Sequence, residues 1–157
     1  MPVHLRPAGE LDRDRTFEWA NDPVTRAMSF SSATIPRADH DGWFTRSLAG
    51  DARSLFIAEE GAEPIGLVRL DWLDQAHTQA EIGISLAREA RGRGLSVLAL
   101  QALIARAREL EVVRLIARIK PDNEPSLRAF ARAGFSERPR ESSEEARVFE
   151  LEIGREP

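Results

Sequence analysis

The sequence predicts a mixed α/β fold in which helices flank one sheet, and three patterns indicate it. Thr78–Leu86 alternates between apolar and polar residues, which is typical of a strand with one face in a core. Leu95–Leu110 carries a broad apolar stripe, which suits a helix packed on a sheet. Short apolar strands precede this helix, and strands alternate with helices after it. Because no linker or repeat divides the 157 residues, we expect a single domain over residues 1–157.

The N-terminal half is predicted to contain three strands and three helices. Pro23 separates two short helices, since proline suits a helix's first turn, and Gly50 ends the third. A hairpin-sized segment, residues 60–63, joins the second and third strands. In chain order the elements are a strand at Val3–Arg6, helices at Leu11–Ala20, Asp22–Met28 and Arg37–Ala49, and strands at Ser54–Glu59 and Ile65–Leu73.

The C-terminal half supplies the rest of the sheet. In the alternating strand one face is predicted to enter the core, and its residues are Ala80, Ile82, Ile84 and Leu86. The other face is predicted to line a more polar surface, and its residues are Gln79, Glu81, Gly83 and Ser85. After the long helix, Arg114–Lys120 is a strand that Pro121 ends. Asn123 is a plausible cap for a last helix that Gly134 closes, and Arg147–Ile153 is the final strand.

Composition excludes several classes of function. The chain has no cysteine, which removes thiolate nucleophiles and thiolate zinc sites, and we expect no metal. It also has no tyrosine, so no phenol is available as an acid or base. The net charge of −4 argues against general nucleic-acid binding. No apolar run is long enough for a membrane span, and the N-terminus lacks a signal-peptide pattern, so we expect a soluble cytoplasmic protein.

A glycine loop between the alternating strand and the long helix is a candidate anion site. Gly92 and Gly94 allow backbone amides to approach a ligand, and the helix that follows has unpaired amides and a positive dipole at its start. With Arg91 and Arg93 these groups form a predicted pyrophosphate cradle. A tight turn with solvated arginines is the alternative interpretation. The loop is neither a dinucleotide fingerprint nor a P-loop, because the third glycine of the first and the Gly-Lys pair of the second are missing.

Three segments together resemble the GNAT superfamily of N-acetyltransferases. Arg91-x-x-Gly94-x-Ser96 resembles the family's Arg/Gln-x-x-Gly-x-Gly/Ala motif. Downstream, Asn123-x-x-Ser126-x-x-x-Phe130 followed by Gly-Phe is similar to its second signature, with Phe130 at the place of the usual tyrosine. Upstream, the surroundings of Trp19 and of Trp43 resemble the branch of ribosomal-protein N-terminal and amino-sugar-nucleotide acetyltransferases.

The resemblance implies a GNAT-like fold with two splayed central parallel strands that hold acetyl-CoA as co-substrate. Thr78–Leu86 and Arg114–Lys120 would be the splayed pair. The implied cofactor residues comprise strand backbone, the glycine loop and two residues of the second signature: Ile82, Ile84, Leu86, Arg91, Gly92, Arg93, Gly94, Leu95, Ser96, Asn123 and Phe130.

Two residues are predicted to carry the chemistry of direct transfer to an amine. Glu81, on the polar face of the alternating strand, is the first candidate for the base, with Asp71 as its alternative; a role in a salt bridge is equally open. Ser126 is the candidate proton donor to the thiolate, in place of the missing tyrosine. Its other interpretations are a helix-capping hydroxyl or a thiolate that leaves unassisted.

The acceptor site is predicted from the N-terminal helices, and its candidates are Trp19, Asn21, Arg26, His40 and Trp43. Arg26 has a second interpretation, a salt bridge with Asp22 four residues earlier. The expected acceptor is a primary amine of a small molecule, of an amino-sugar nucleotide or of a protein N-terminus. A homodimer through the final strand is possible. The competing hypothesis is a catalytically inactive CoA-binding sensor or structural module, which the missing tyrosine keeps open.

Overall fold

The computed structural model describes residues 2–154, and its elements follow the predicted order. The strands are β1 Val3–Pro7, β2 Arg53–Glu60, β3 Glu63–Trp72, β4 Gln79–Leu86, β5 Arg114–Ile119, β6 Ser136–Glu137 and β7 Arg147–Glu152. The helices are α1 Arg13–Ala20, α2 Pro23–Met28, α3 Arg37–Ala49, α4 Leu95–Glu109 and α5 Glu124–Arg132. Predicted bounds differ from these by no more than two residues. The elements that were not predicted are the two-residue strand β6 and two single-turn 3-10 helices, Glu10–Asp12 and Arg88–Ala90.

The seven strands form one mixed sheet in the order β1-β2-β3-β4-β5-β7-β6. All neighbouring strands are antiparallel except β4 and β5, which are parallel. These two pair only where residues 79–81 face residues 114–116, and both strands then continue unpaired with each other. The predicted splayed parallel pair is therefore confirmed, and it leaves one backbone edge of β4 open beyond Glu81.

The core follows the predicted alternation only as far as β4 and β5 stay together. Ala80 and Ile82 are buried, at 0% and 4% exposure, whereas Ile84 and Leu86 are only half-buried. Both pack against the core cluster, so the prediction that all four enter the core holds in full for Ala80 and Ile82 and only in part for Ile84 and Leu86. The helix α4 covers the sheet with a buried stripe of six residues: Leu95, Ala99, Leu100, Leu103, Ile104 and Ala107. Leu98 and Leu110, which were also predicted to belong to the apolar stripe, are exposed.

A buried carboxylate fixes the N-terminal turn. Asp12 is 1% exposed and accepts hydrogen bonds from Arg6 Nη1 (2.8 Å), Arg6 Nη2 (2.9 Å) and the Gly9 amide (2.9 Å), and it also pairs with Arg15. Burial acts to raise the pKa of Asp12. The hydrogen bonds from Arg6, Gly9 and Arg15 outweigh burial and lower that pKa from 3.8 to about 2.

The lowered pKa predicts an acid-sensitive contribution of Asp12 to stability. The unfolded carboxyl titrates near 3.8 and the folded one near 2, so the contribution is complete above pH 5 and is lost as the pH falls through 2. Between pH 5 and pH 2 we expect the free energy of unfolding of the wild type to fall by about 2 kcal/mol more than that of the Asp12→Asn variant. Urea melts at a series of pH values measure it. Glu10→Gln, at an exposed carboxylate, is the control, and parallel curves for wild type and Asp12→Asn would contradict the prediction.

Candidate functional site

The gap between β4 and β5 opens into a cleft of about 530 Å³, here termed the first cleft. The end of β4, the glycine loop and the start of α4 form one side, and α2 and α5 contribute the others. Of the predicted cofactor residues, eight line this cleft: Ile84, Leu86, Arg91, Gly92, Gly94, Leu95, Ser96 and Asn123.

The open edge of β4 presents backbone groups to the gap. The odd-numbered residues of this segment turn their backbone groups toward β3 and its ends. The Gln79 carbonyl accepts a hydrogen bond from the Leu73 amide, and the Ala87 amide donates one to the Ile65 carbonyl. Successive residues of a strand alternate in direction, so the backbone groups of Ile82, Ile84 and Leu86 face the gap. The Ile82 side chain is in the core, and this residue can therefore contribute to a site only through its backbone.

The glycine loop has the conformation that its two glycines were predicted to allow. Gly92 has φ 76° and Gly94 has φ 72°, both in the left-handed region. No atom lies within 4 Å of the place where a Cβ would stand at either position, so both face open space. Helix α4 begins at Leu95 without a side-chain cap, which leaves its first amides available to an anion in the first cleft.

The two arginines of this loop have other partners than predicted. Arg91 Nη2 donates to Asp22 Oδ2 (2.7 Å), to Thr25 Oγ1 (2.9 Å) and to the Leu86 carbonyl (3.3 Å), and so ties the loop to α2. Arg93 pairs with both oxygens of Glu60, at 2.8 and 2.9 Å, away from the residues that line the first cleft. Arg91 thus lines the first cleft, as predicted, while its guanidinium is held by α2, whereas the Arg93 side chain lies outside the cleft and its predicted place there is wrong.

The contact with Arg91 keeps Asp22 ionised. Burial acts to raise the pKa of Asp22, but the hydrogen bonds from Arg91 and from the amides of Thr25 and Val24 outweigh it and lower that pKa. Asp22 also caps α2 and pairs with Arg88. The predicted salt bridge between Asp22 and Arg26 is wrong, because Asp22 faces the glycine loop.

A second cleft, of about 360 Å³, lies on the polar face of the sheet next to the first. Glu81, Arg69, Arg118 and Phe30 are among the residues that line it. The two clefts meet at a junction, which we define by the residues that line both: Met28, Ser29, Ile84, Ser85, Asn123 and Ser126.

Glu81 lies in the second cleft in an ion pair. Its Oε1 accepts from Arg118 Nε at 2.7 Å, and the side chain is 29% exposed. Asp71, the alternative base, faces Glu81 across the β3–β4 ladder, but two arginines hold it, Arg53 at 3.0 Å and Arg69 at 2.8 Å. Since Glu81 lines the cleft and has a single partner, it is the better placed of the two carboxylates.

The second signature places one hydroxyl at the junction of the clefts. Asn123 caps α5, because its Oδ1 accepts from the Ser126 amide at 3.4 Å. The Ser126 hydroxyl has no hydrogen-bond partner within residues 2–154, so the capping role considered for it is not seen. Phe130 is 3% exposed, lines the second cleft and packs edge-on against Phe135 with ring centroids 5.0 Å apart.

Arg26 is the one predicted acceptor residue that lines the second cleft. Its guanidinium donates to the carbonyls of Ala20 (2.6 Å) and Ser31 (2.9 Å) and to the Ser29 hydroxyl (3.1 Å). Arg26 therefore holds together the segment that follows α2. Burial lowers its pKa, but an arginine stays charged.

The other four acceptor candidates line neither cleft, and the structure corrects their prediction. Asn21 pairs through its amide with both backbone groups of Ile35, at 2.8 and 2.9 Å. His40 is 3% exposed, bonds Thr16 at 3.2 Å and packs among aromatic rings that include Trp43. Trp19 packs against the hydrophobic core. Aromatic and amide side chains of this kind are common in the walls of binding sites, but in this fold they pack against or hydrogen-bond to neighbouring parts of the chain.

Among the residues of the second cleft that were not predicted, three have side chains suited to binding an acceptor: Phe30, Arg69 and Arg118. Phe30 follows α2 and is 57% exposed, which is an unusual exposure for a large aromatic side chain. Arg69 and Arg118 alternate with apolar neighbours in their strands, which from sequence indicates only a solvated face. Had the strand order been known, the alternation of polar and apolar residues in β3 and β5 would have placed both arginines on the polar face of the sheet, where Glu81 lies.

The described part of the chain contains neither a membrane-spanning helix nor a cluster of metal-binding side chains. Within residues 2–154 no helix is long and apolar enough to cross a bilayer. In the same range no group of three acidic or histidine side chains is arranged to hold a metal ion.

Comparison with known families gives a match over most of the chain. Residues 3–136 match the model of the Acetyltransferase (GNAT) domain. An uncharacterised N-acetyltransferase of Bacillus licheniformis, p20, is 31% identical over 122 residues, which are 74% of this chain and 68% of that protein. The L-methionine sulfoximine/L-methionine sulfone acetyltransferase of Pseudomonas aeruginosa is 27% identical over 139 residues, covering 86% of this chain and 81% of that one.

Solved structures agree with the fold. Spermidine N-acetyltransferase from Vibrio cholerae, in complex with CoA and spermine, superposes with a TM-score of 0.85 at 16% identity, over 98% of this chain and 96% of that one. The aminoglycoside acetyltransferase AAC(6')-Ib, in complex with ribostamycin and coenzyme A, gives 0.81 at 22% identity, over 96% and 92%. At these identities the likeness concerns the fold alone. None of these names supports the ribosomal-protein or amino-sugar-nucleotide branch.

Proposed function

Because the chain belongs to the GNAT acetyltransferase family and is an acetyl-CoA-dependent N-acetyltransferase, we propose that it acetylates the primary amine of a small molecule bound in the second cleft. The observation that carries this proposal is the junction of the two clefts. A cofactor in the first cleft and an amine in the second can meet there and nowhere else along the described walls.

The first cleft suits the cofactor. The pyrophosphate would bind the amides of the glycine loop and of the start of α4, residues 92–96. The pantetheine arm would pair with the open edge of β4 at Ile82, Ile84 and Leu86, which places its thioester at the junction. A backbone amide near Ile84 would then stabilise the oxyanion that forms on attack.

The reaction is direct transfer, since a chain without cysteine offers no thiolate to carry the acetyl group. The amine nitrogen attacks the thioester carbon, its N–C bond forms, and the C–S bond breaks with its electron pair on sulfur. Glu81 accepts the proton that the ammonium must lose before attack, directly or through a water. The nitrogen loses its second proton as the C–S bond breaks, and Ser126 passes a proton to the departing sulfur while its hydroxyl accepts that second one, which leaves the amide and the free CoA thiol. Asn123 holds the turn that presents Ser126.

A small acceptor is supported by two observations. The second cleft, of about 360 Å³, has the size of a small-molecule site. The relatives with a stated substrate are named for small molecules, among them L-methionine sulfone. We therefore place small amines before protein N-termini. A cytoplasmic location and pairing of two copies stay predictions.

The experiment measures free thiol released from acetyl-CoA with a panel of acceptors: L-methionine sulfone, the common L-amino acids, spermidine, kanamycin and a peptide with a free N-terminus. We expect release with one or more small amines. If thiol is released with the peptide alone, the proposal fails and a protein N-terminus is the acceptor. If acetyl-CoA raises the melting temperature of the protein but no acceptor of the panel releases thiol, a CoA-binding module without catalysis replaces the proposal.

Replacing Ser126 by alanine tests the proton donor. CoA thiolate is a good leaving group, so we expect kcat to fall by only about 10-fold, below the usual range for a general acid. The KM for acetyl-CoA should change little. Ser126→Thr, which keeps a hydroxyl, is the matched control and should retain most of the activity. Full kcat in Ser126→Ala would show that the thiolate departs without help from this residue.

A further inference from the structure

We propose that the acceptor carries a carboxylate close to its amine, as an α-amino acid does, and that Arg69 binds this carboxylate together with Arg118. This inference rests on the proposed function, since it names the class of the amine in the second cleft.

The charge of the second cleft favours an anionic group. Three arginines line it, Arg26, Arg69 and Arg118, against one carboxylate, Glu81. Arg26 has no carboxylate partner within residues 2–154, because its guanidinium donates to carbonyls and to a hydroxyl. The cleft therefore has an excess of positive charge, which attracts an acceptor with a negative group and repels a polyamine.

Arg69 is held in a position suited to bind a carboxylate. Its Nε donates to Asp71 Oδ2 at 2.8 Å, which fixes the guanidinium plane. Its Nη1 and Nη2 have no hydrogen-bond partner within the described residues. These two nitrogens are the pair that can bind both oxygens of a carboxylate, which gives a strong and directional contact.

Gly83 makes this position of Arg69 possible. The two residues face each other across the β3–β4 ladder. A Cβ at Gly83 would stand 2.7 Å from Arg69 Nη2, closer than real Cβ contacts, and 3.0 Å from Cζ, so the guanidinium would have to move. The guanidinium thus lies against the backbone of β4, where only glycine leaves room for it. Gly83 has an ordinary strand conformation, so close approach and not a special φ explains the glycine.

The spacing of Arg69 and Glu81 matches an α-amino acid. Arg69 faces Gly83 in the ladder, so Glu81, two residues away, is its diagonal neighbour on the same face, at about 7–8 Å between backbones. An amino acid between them can turn its ammonium to Glu81 and its carboxylate to Arg69. Arg118 pairs with Glu81 through Nε alone, so its other two nitrogens can contact the same carboxylate.

The test compares the common L-amino acids and L-methionine sulfone with the carboxamide of each. In the wild-type enzyme we expect kcat/KM for the best amino acid to exceed that for its amide by about 10- to 100-fold, the effect of a hydrogen-bonded charge. Arg69→Gln should raise the KM for the amino acid by a similar factor and leave the amide within about 2-fold. Gly83→Ala, which displaces Arg69, should act in the same direction.

Arg53→Gln is the matched control. Arg53 binds the other oxygen of Asp71 at 3.0 Å but does not line either cleft, so its loss should leave the preference for the acid unchanged. Two results would overturn the inference and leave the proposed function intact. The first is acetylation of the amides or of spermidine at the same kcat/KM as the amino acids. The second is a ratio of kcat/KM between acid and amide that does not change in Arg69→Gln. No thiol release with any amine, with acetyl-CoA still bound, would overturn both.

Discussion

Replacing Glu81 by glutamine is expected to lower kcat about 100-fold or more at neutral pH, the usual contribution of a general base. An amine reaches the second cleft mostly as ammonium, which has no lone pair for attack. Glu81 is the carboxylate that lines this cleft, and a neutral amide in its place cannot accept the proton. The KM for acetyl-CoA should change little, since the glycine loop and the backbone edge of β4 bind the cofactor.

The pH dependence distinguishes a base from a structural ion pair. In Glu81→Gln the loss should be largest below the pKa of the acceptor amine, and should shrink at high pH where the free amine is abundant. Glu60→Gln is the matched control, because it also removes a carboxylate from an arginine pair but Glu60 does not line either cleft. A loss that is equal at all pH values would assign Glu81 to positioning Arg118 instead.

The backbone that lines the first cleft could be predicted from sequence because it depends on local conformational preferences. The alternation of β4 determines which residues turn their backbone to the gap, and Gly92 and Gly94 mark left-handed positions before a helix start. Such features depend on a few consecutive residues. The Arg93 side chain was the exception, since its partner Glu60 lies 33 positions away in sequence.

The acceptor side could not be predicted, because it depends on which side chains the sheet order and helix packing bring together. His40 and Trp43 have the chemistry of a binding wall, but α3 packs His40 against Phe17 and Phe44, and Trp43 contacts His40 and Arg53. Arg69 becomes part of a site only because β3 pairs with β4 in a register that places it on Gly83. That register depends on the conformation of the connection at residues 73–78, for which the sequence shows no standard turn pattern.

The glycine loop gives the second large expected effect, on cofactor binding. Gly94 has φ 72° directly before α4, and alanine there would incur the cost of the left-handed conformation, about 1–2 kcal/mol. Its Cβ would also project into the open space that we assign to the pyrophosphate. We therefore expect Gly94→Ala to raise the KM for acetyl-CoA by about 10-fold or more, the loss of one charge-assisted hydrogen bond or its equivalent.

A matched variant separates backbone strain from lost binding. Gly61, in the β2–β3 turn, has φ 62° and lies outside both clefts, so Gly61→Ala carries the same strain without touching the cofactor. Both variants should melt at a lower temperature than the wild type. Only Gly94→Ala should also lose most of the rise in melting temperature that acetyl-CoA produces, because that rise depends on affinity for the native state. An equal rise in both variants would show that the pyrophosphate binds elsewhere.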